Sequence, residues 1–258
     1  MVCGRRLVAM KPKLAGLIAL VAVLAVLVAA CSGGNDSPTG DGASDEGEAL
    51  DASAEVLMPA AAEAIGAVSS VHFQLERTGA PVHIDPADLI AIEAVEGRWV
   101  APDSADALLE VKINDSINTK LGAVSVDGLV YLSNPITGDF EPLPDGYDVD
   151  PTEFFDPVDG WRPLLLEMSD VELIGEDDRA GGTYHLRGTA PASRVENVTA
   201  GLVDDQDLEL DLWIETDTAL VRSVEFTNDH DLGTSSWRLD LDRYGEEMTI
   251  EIPENVSG

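Results

Sequence analysis

Cys31 is the residue whose surroundings specify a reaction, because it closes the string Val28-Ala29-Ala30-Cys31. A sulfur nucleophile at that place can accept a diacylglycerol as a thioether, and the small Ala29 and Ala30 admit a peptidase to the bond before it. The upstream residues fit this chemistry. Arg5, Arg6, Lys11 and Lys13 form a positive n-region, and Leu14 to Ala30 form an apolar h-region; either Met1 or Met10 can begin it. At about 17 residues the run sits at the short limit for a membrane span, which favours a cleaved signal over a retained anchor. The expectation is a lipoprotein signal peptide over residues 1–30, with Cys31 as the lipid-attachment site. Such a protein is held by its acyl chains at the extracytoplasmic side of the cell membrane.

No other constellation reads as catalytic. The sequence has no Gly-x-Ser-x-Gly elbow, no His-Glu-x-x-His and no glycine-rich phosphate loop. His72, His83, His185 and His230 stand at unrelated spacings, and His72 and His185 fall in the polar phase of expected strands, where solvation explains them. Asp145, Asp148, Asp150, Glu153, Asp156 and Asp159 crowd one segment, but their spacing is not that of an EF-hand. They read as a solvated acidic loop rather than a calcium site. A weaker rival makes a pair among Asp148, Asp150, Glu153 and Asp156 the acid and base of an enzyme acting on cell-wall polymer. The favoured expectation is a protein that is not an enzyme and needs no cofactor and no metal.

Charge and cysteine content narrow the class further. The chain has 15 basic and 49 acidic residues; four basic ones precede Cys31, so cleavage leaves 11 against 49 and moves the formal charge from −34 to −38. Nucleic acid is thereby excluded as a partner of the outer face. Cys3 and Cys31 are the only cysteines, so the processed domain has no thiol for a disulfide, redox pair or zinc site. An exported domain without disulfides needs a hydrophobic core, and about 200 residues suffice for one.

Residues 31–52 are mostly Gly, Ser, Asp, Glu, Pro and Thr with little to bury, which reads as a disordered acidic tether. Ser53 is a candidate N-cap for a helix reaching Val68, whose stripe is Val56, Leu57, Ala60, Ala61, Ala64, Ile65 and Val68. From Val71 the period becomes two. Strands are expected at 71–76, 90–100, 105–113, 119–126, 129–133, 171–175, 183–189, 208–215, 220–227, 235–241 and 248–252, with turns at Asp127-Gly128, Gly181-Gly182 and Asn228-Asp229. Short helices are expected within Pro151 to Met168 and at Ala192 to Val198. The fold class that fits is α+β: a strongly curved antiparallel sheet, or half-barrel, with helices covering its concave face.

A sheet this curved, covered by short helices, can leave space that its own side chains do not fill. The expected ligand-binding residues are Phe73, Leu75, Val111, Val126, Tyr131, Phe155, Leu165, Met168, Leu212, Ile214, Phe226 and Leu239, surrounding acyl chains. The rival is a structural or interaction lipoprotein whose β-core is filled.

Several strings then resemble a known family in their order and spacing. They are Ser70-Val71-His72-Phe73, Val126-Asp127-Gly128-Leu129-Val130-Tyr131, Pro151 to Phe155 followed by Asp156-Pro157-Val158-Asp159-Gly160, Tyr184-His185-Leu186-Arg187-Gly188, Leu212-Trp213-Ile214-Glu215 and Trp237-Arg238-Leu239-Asp240-Leu241. With the lipobox, they make residues 53–256 resemble the LppX/LprAFG lipoproteins. The resemblance implies a half-open antiparallel barrel similar to LolA and LolB. It also implies an acylated lipid or glycolipid as partner, transport across the envelope, and a possible membrane transporter that cooperates with the carrier.

Overall fold

The computed structural model describes residues 52–85, 87–143, 151–156, 158–199 and 201–256. The expected signal peptide, Cys31 and all but the last residue of the expected tether lie outside the described residues, as do Asp145, Asp148 and Asp150. No helix among the described residues is long and apolar enough to cross a membrane.

The chain opens with helix α1 (Ala54–Gly66) and then runs β1 (Ser70–Gly79), β2 (Val82–His83), β3 (Ile90–Val100), β4 (Ser104–Ile113), β5 (Ile117–Val126), β6 (Leu129–Ser133) and β7 (Phe140–Pro142). A 3-10 turn (Pro151–Phe155) and α2 (Trp161–Glu167) lead to β8 (Ser169–Asp177), β9 (Thr183–Ala190), α3 (Ala192–Val198), β10 (Leu208–Glu215), β11 (Val221–His230) and β12 (Gly233–Asp242). All twelve strands join one sheet in the order β7-β6-β5-β4-β3-β1-β12-β11-β10-β9-β8, with β2 paired to β3. Every pairing between these strands is antiparallel, and the two edge strands of the sheet, β7 and β8, do not pair with each other, so the half-barrel stays open.

Register explains which face turns inward. On β1, Phe73 stands opposite Leu241 and Gly97, and Leu75 opposite Leu239 and Val95, so one apolar row crosses several strands. The alternate row is charged: His72 faces Asp242, and Arg98 of β3 reaches Asp106 of β4. The concave row packs under α1 and α2, whose Leu57, Ala61, Leu164 and Leu165 are completely or almost completely buried with Leu212, Ile214 and Val221. Two-residue turns close the β5–β6 and β11–β12 hairpins; in the first, Asp127 and Gly128 both take positive φ, 53° and 72°, the type I′ geometry that matches strand twist.

Several expectations need correction. Met248 to Ile252 is not a strand: Arg243 (φ 51°) and Gly245 (φ 70°) turn the chain off the sheet, and apolar alternation alone supplies no edge to pair with. Asn228-Asp229 is not a turn but the end of β11, where the buried Asn228 accepts a 2.7 Å hydrogen bond from the Trp237 indole. Ser53 precedes α1 as expected, yet its hydroxyl caps nothing; its carbonyl accepts the Val56 and Leu57 N–H groups. The buried stripe of α1 is Leu57, Met58, Ala61, Ala62 and Ile65, rotated so that Val56 is exposed. The short strands β2 and β7 were not expected, because two or three residues carry no readable period.

Candidate functional site

The inward face divides into two halves along the strands. Near the end where β1 begins, α1 and α2 fill the space with side chains. Toward the other end, where β3, β5, β10 and β12 begin, the helices leave an apolar cavity of about 210 Å³. Of its thirty lining residues, Asp85 and Thr199 alone carry a carboxylate or a hydroxyl. Both are already used. Asp85 Oδ1 accepts from the N–H groups of Leu89 (2.9 Å) and Ile90 (2.6 Å), fixing the β2–β3 loop, and Thr199 Oγ1 donates to the Val195 carbonyl (2.9 Å). A third polar group, the Trp237 indole, is taken by Asn228.

Five of the twelve expected ligand-binding residues line this cavity: Phe73, Leu75, Phe155, Phe226 and Leu239. The other seven lie off it, for identifiable reasons. Val126 and Tyr131 belong to the opposite phase, because Leu121 and Ala123 of β5 and Val130 and Leu132 of β6 point inward. The apolar run Leu129-Val130-Tyr131-Leu132 left that phase ambiguous. Leu212 and Ile214 are on the inward face but in the filled half, whereas Leu208 and Leu210 of the same strand line the cavity. On α2, Trp161 and Leu164 reach the cavity and Leu165 turns into the core. Met168 lies over Gly188 of β9, where an added Cβ would approach its Cε to 3.0 Å. Val111 is buried opposite Ile92, beyond the lining.

Sequence reasoning missed the loop and helix residues that complete the wall: Ile84 and Ile90 beside β3, and Val195, Val198 and Leu202 around α3. It also missed Arg77, buried in the inward phase of β1, which donates to the Ile92 carbonyl (2.6 Å), the Gly79 carbonyl (3.1 Å) and Glu93 (2.7 Å). The signal was present as an arginine continuing the row Val71, Phe73, Leu75. Arg77 ties the β3 bulge between Ile92 and Ala94 to the start of the loop beyond β1, and so shapes the cavity's rim.

Aromatic contacts stiffen the wall. Phe73 meets Phe154 edge-on at 6.4 Å, Trp99 lies 4.9 Å from Phe155, and Phe226 stacks on Trp237 at 6.0 Å. The 3-10 turn and the loop after it are held by Asp156, whose Oδ1 accepts from Val158 (2.7 Å) and Asp159 (2.9 Å). Arg194 of α3 joins that loop through Asp159 (3.2 Å) and α2 through Glu167 (2.7 Å). Its hydrogen bond and charge hold the Glu167 carboxyl below the ordinary carboxylate range.

Of the acidic segment only Asp156 and Asp159 have described side chains, and no cluster of three or more histidine, cysteine or acidic side chains poised for a metal occurs among the described residues. The histidines of the outer face are not simply solvated, as their phase suggested. His72 is buried between Asp242 (2.7 Å) and Glu96 (3.2 Å), and His185 stacks on Trp213 at 4.5 Å while contacting Asp211 (2.6 Å). Trp213 also carries the Arg179 guanidinium 3.8 Å above its ring. These groups are consumed by one another and lie on the sheet face opposite the cavity.

The class defined by this fold is the open antiparallel half-barrel around an apolar hollow, with helices on the inner side. The LppX_LprAFG lipoprotein family model matches residues 53–250, and the chain belongs to that family. Among solved structures it is similar to LprF from Mycobacterium bovis, with 16% identity, a TM-score of 0.62, and coverage of 80% of this chain and 99% of that one. It is also similar to LppX from Mycobacterium tuberculosis, with 19% identity, a TM-score of 0.53, and coverage of 77% and 100%. At these identities the likeness establishes the fold. No curated protein matches the chain in sequence.

Proposed function

We propose that the protein is a lipid-anchored carrier that takes the acyl chains of a lipid or glycolipid into the cavity and moves them across the cell envelope without a catalytic step. The observation that carries this reading is an inward sheet face that stays apolar where no side chain fills the space. An empty apolar volume costs about 24 cal/mol per Å³, so about 210 Å³ corresponds to roughly 5 kcal/mol. At about 0.8 kcal/mol for each buried methylene, roughly six methylenes offset it. A single acyl chain has more than that.

The same reading puts two acyl chains on Cys31, which give stable anchoring where one is reversible. The polar headgroup stays outside, because Asp85 and Thr199 are already bonded. A membrane transporter is the partner class that would exchange cargo with such a carrier. Native mass spectrometry of the full chain isolated from its own membranes tests the proposal. Co-purifying lipid is the expected result; a bare protein mass under gentle conditions supports a structural lipoprotein instead.

A further inference from the structure

Toward one end of the half-barrel the cavity is lined by Ile84, Asp85 and Ile90 beside β3 and by Val198, Thr199 and Leu202 around α3. Strand register places three connections at that same end: the loop before β3, the β4–β5 turn and the β11–β12 turn. Two backbone hydrogen bonds bind them into one rim, from Asn114 N–H to the Leu89 carbonyl (2.8 Å) and from Ala80 N–H to the Thr234 carbonyl (2.9 Å). Each connection presents a large apolar side chain to solvent: Leu89 is 46% exposed, Ile117 57% and Leu232 58%. At the opposite end, the connections among the described residues present one such side chain, Leu129, at 56%. Scattered exposed leucines need no explanation, but three on adjacent tips around a cavity mouth do.

We infer that the rim formed by Leu89, Ile117 and Leu232 is a membrane-docking surface that seats the open end of the cavity on a bilayer of low net charge. Continuity with the cavity and the charge of the rim together select this occupant. An acyl chain passing between a bilayer and this hollow crosses the rim, and side chains that enter the interface there spare the chain exposure to water. This step rests on the carrier reading. Each apolar tip follows an exposed aspartate by one or two residues, Asp88, Asp115 and Asp231, so the rim repels anionic headgroups and tolerates zwitterionic ones. If residue 31 is the anchor, 22 residues of sequence lie between it and α1.

Variants of the full chain that each add one cysteine test the surface without reading the cargo. L232C and L89C, labelled with an environment-sensitive fluorophore and mixed with phosphatidylcholine vesicles, should show blue-shifted emission that doxyl-labelled acyl chains quench. L129C, equally exposed at the other end, should show neither change. The unsubstituted chain labelled in parallel provides the background from Cys3 and Cys31. Unquenched labels at positions 232 and 89, or equal quenching at position 129, overturn the docking surface. Phosphatidylglycerol in the vesicles should reduce the quenching; undiminished quenching overturns the low-charge preference. Bound lipid with a silent rim removes the docking surface and leaves the carrier, whereas a quenched rim with no bound lipid does the reverse.

Discussion

Individual side chains differ in what they do according to which half of the inner face they occupy. Leu212 is fully buried among α1 and β-sheet side chains, so L212A opens a new void and should cost about 2–5 kcal/mol in chemical denaturation. Ala107 borders space that is already empty, so A107F should fill part of it with little loss of stability while reducing the lipid mass that co-purifies. A107F protein that retains its full lipid load argues that the cargo lies elsewhere. Gly97 shows the same economy of space at close quarters. A Cβ there would come within 2.5 Å of the Phe73 ring, so the absence of a side chain on β3 is what lets Phe73 lie across into the lining.

Short elements hold the cavity's cover in place by few contacts. The turn after Phe155, α2 and α3 are joined by Arg194 through Asp159 and Glu167, a surface clamp between three short pieces. Glu167 has a folded-state pKa lowered first by its hydrogen bond from Arg194. The sign follows: the clamp is present above the ordinary glutamate pKa and is lost as pH falls through the lowered value. R194M should therefore raise hydrogen exchange in α2 and α3 at neutral pH, and the difference from the unsubstituted protein should fade on acidification. An R194M chain whose exchange in those helices is unchanged at pH 7 would show that apolar packing alone holds them. Tyr244 contributes a second fastening beyond β12. Its buried hydroxyl donates to the Val221 carbonyl, and burial pushes its pKa up, so it stays a donor throughout the physiological range.

For the whole molecule, the hollow makes stability depend on cargo, because a ligand that binds only the folded state stabilises it by RT ln(1 + [L]/Kd). Removing bound lipid from purified protein should lower the melting temperature by several degrees, and adding back lipid extract should restore it; a melting temperature indifferent to both treatments counts against a lipid-filled cavity. Much of this was legible in the sequence. Period-two alternation located strands such as Ile90–Val100 and Leu208–Glu215 at their observed limits, and the expectation of lipid attachment at Cys31 rests on the basic, apolar and Ala-Ala-Cys succession without reference to any fold. Those features depend on neighbours along the chain. Which side of β5 and β6 faces inward, where Met248 to Ile252 goes, and why Leu210 borders empty space while Leu212 lies in packed core depend on register between strands and on how far α1 and α2 extend over the sheet. Alternation marks a face as apolar, but only the sum of contacts between distant segments decides whether side chains fill the space beneath it.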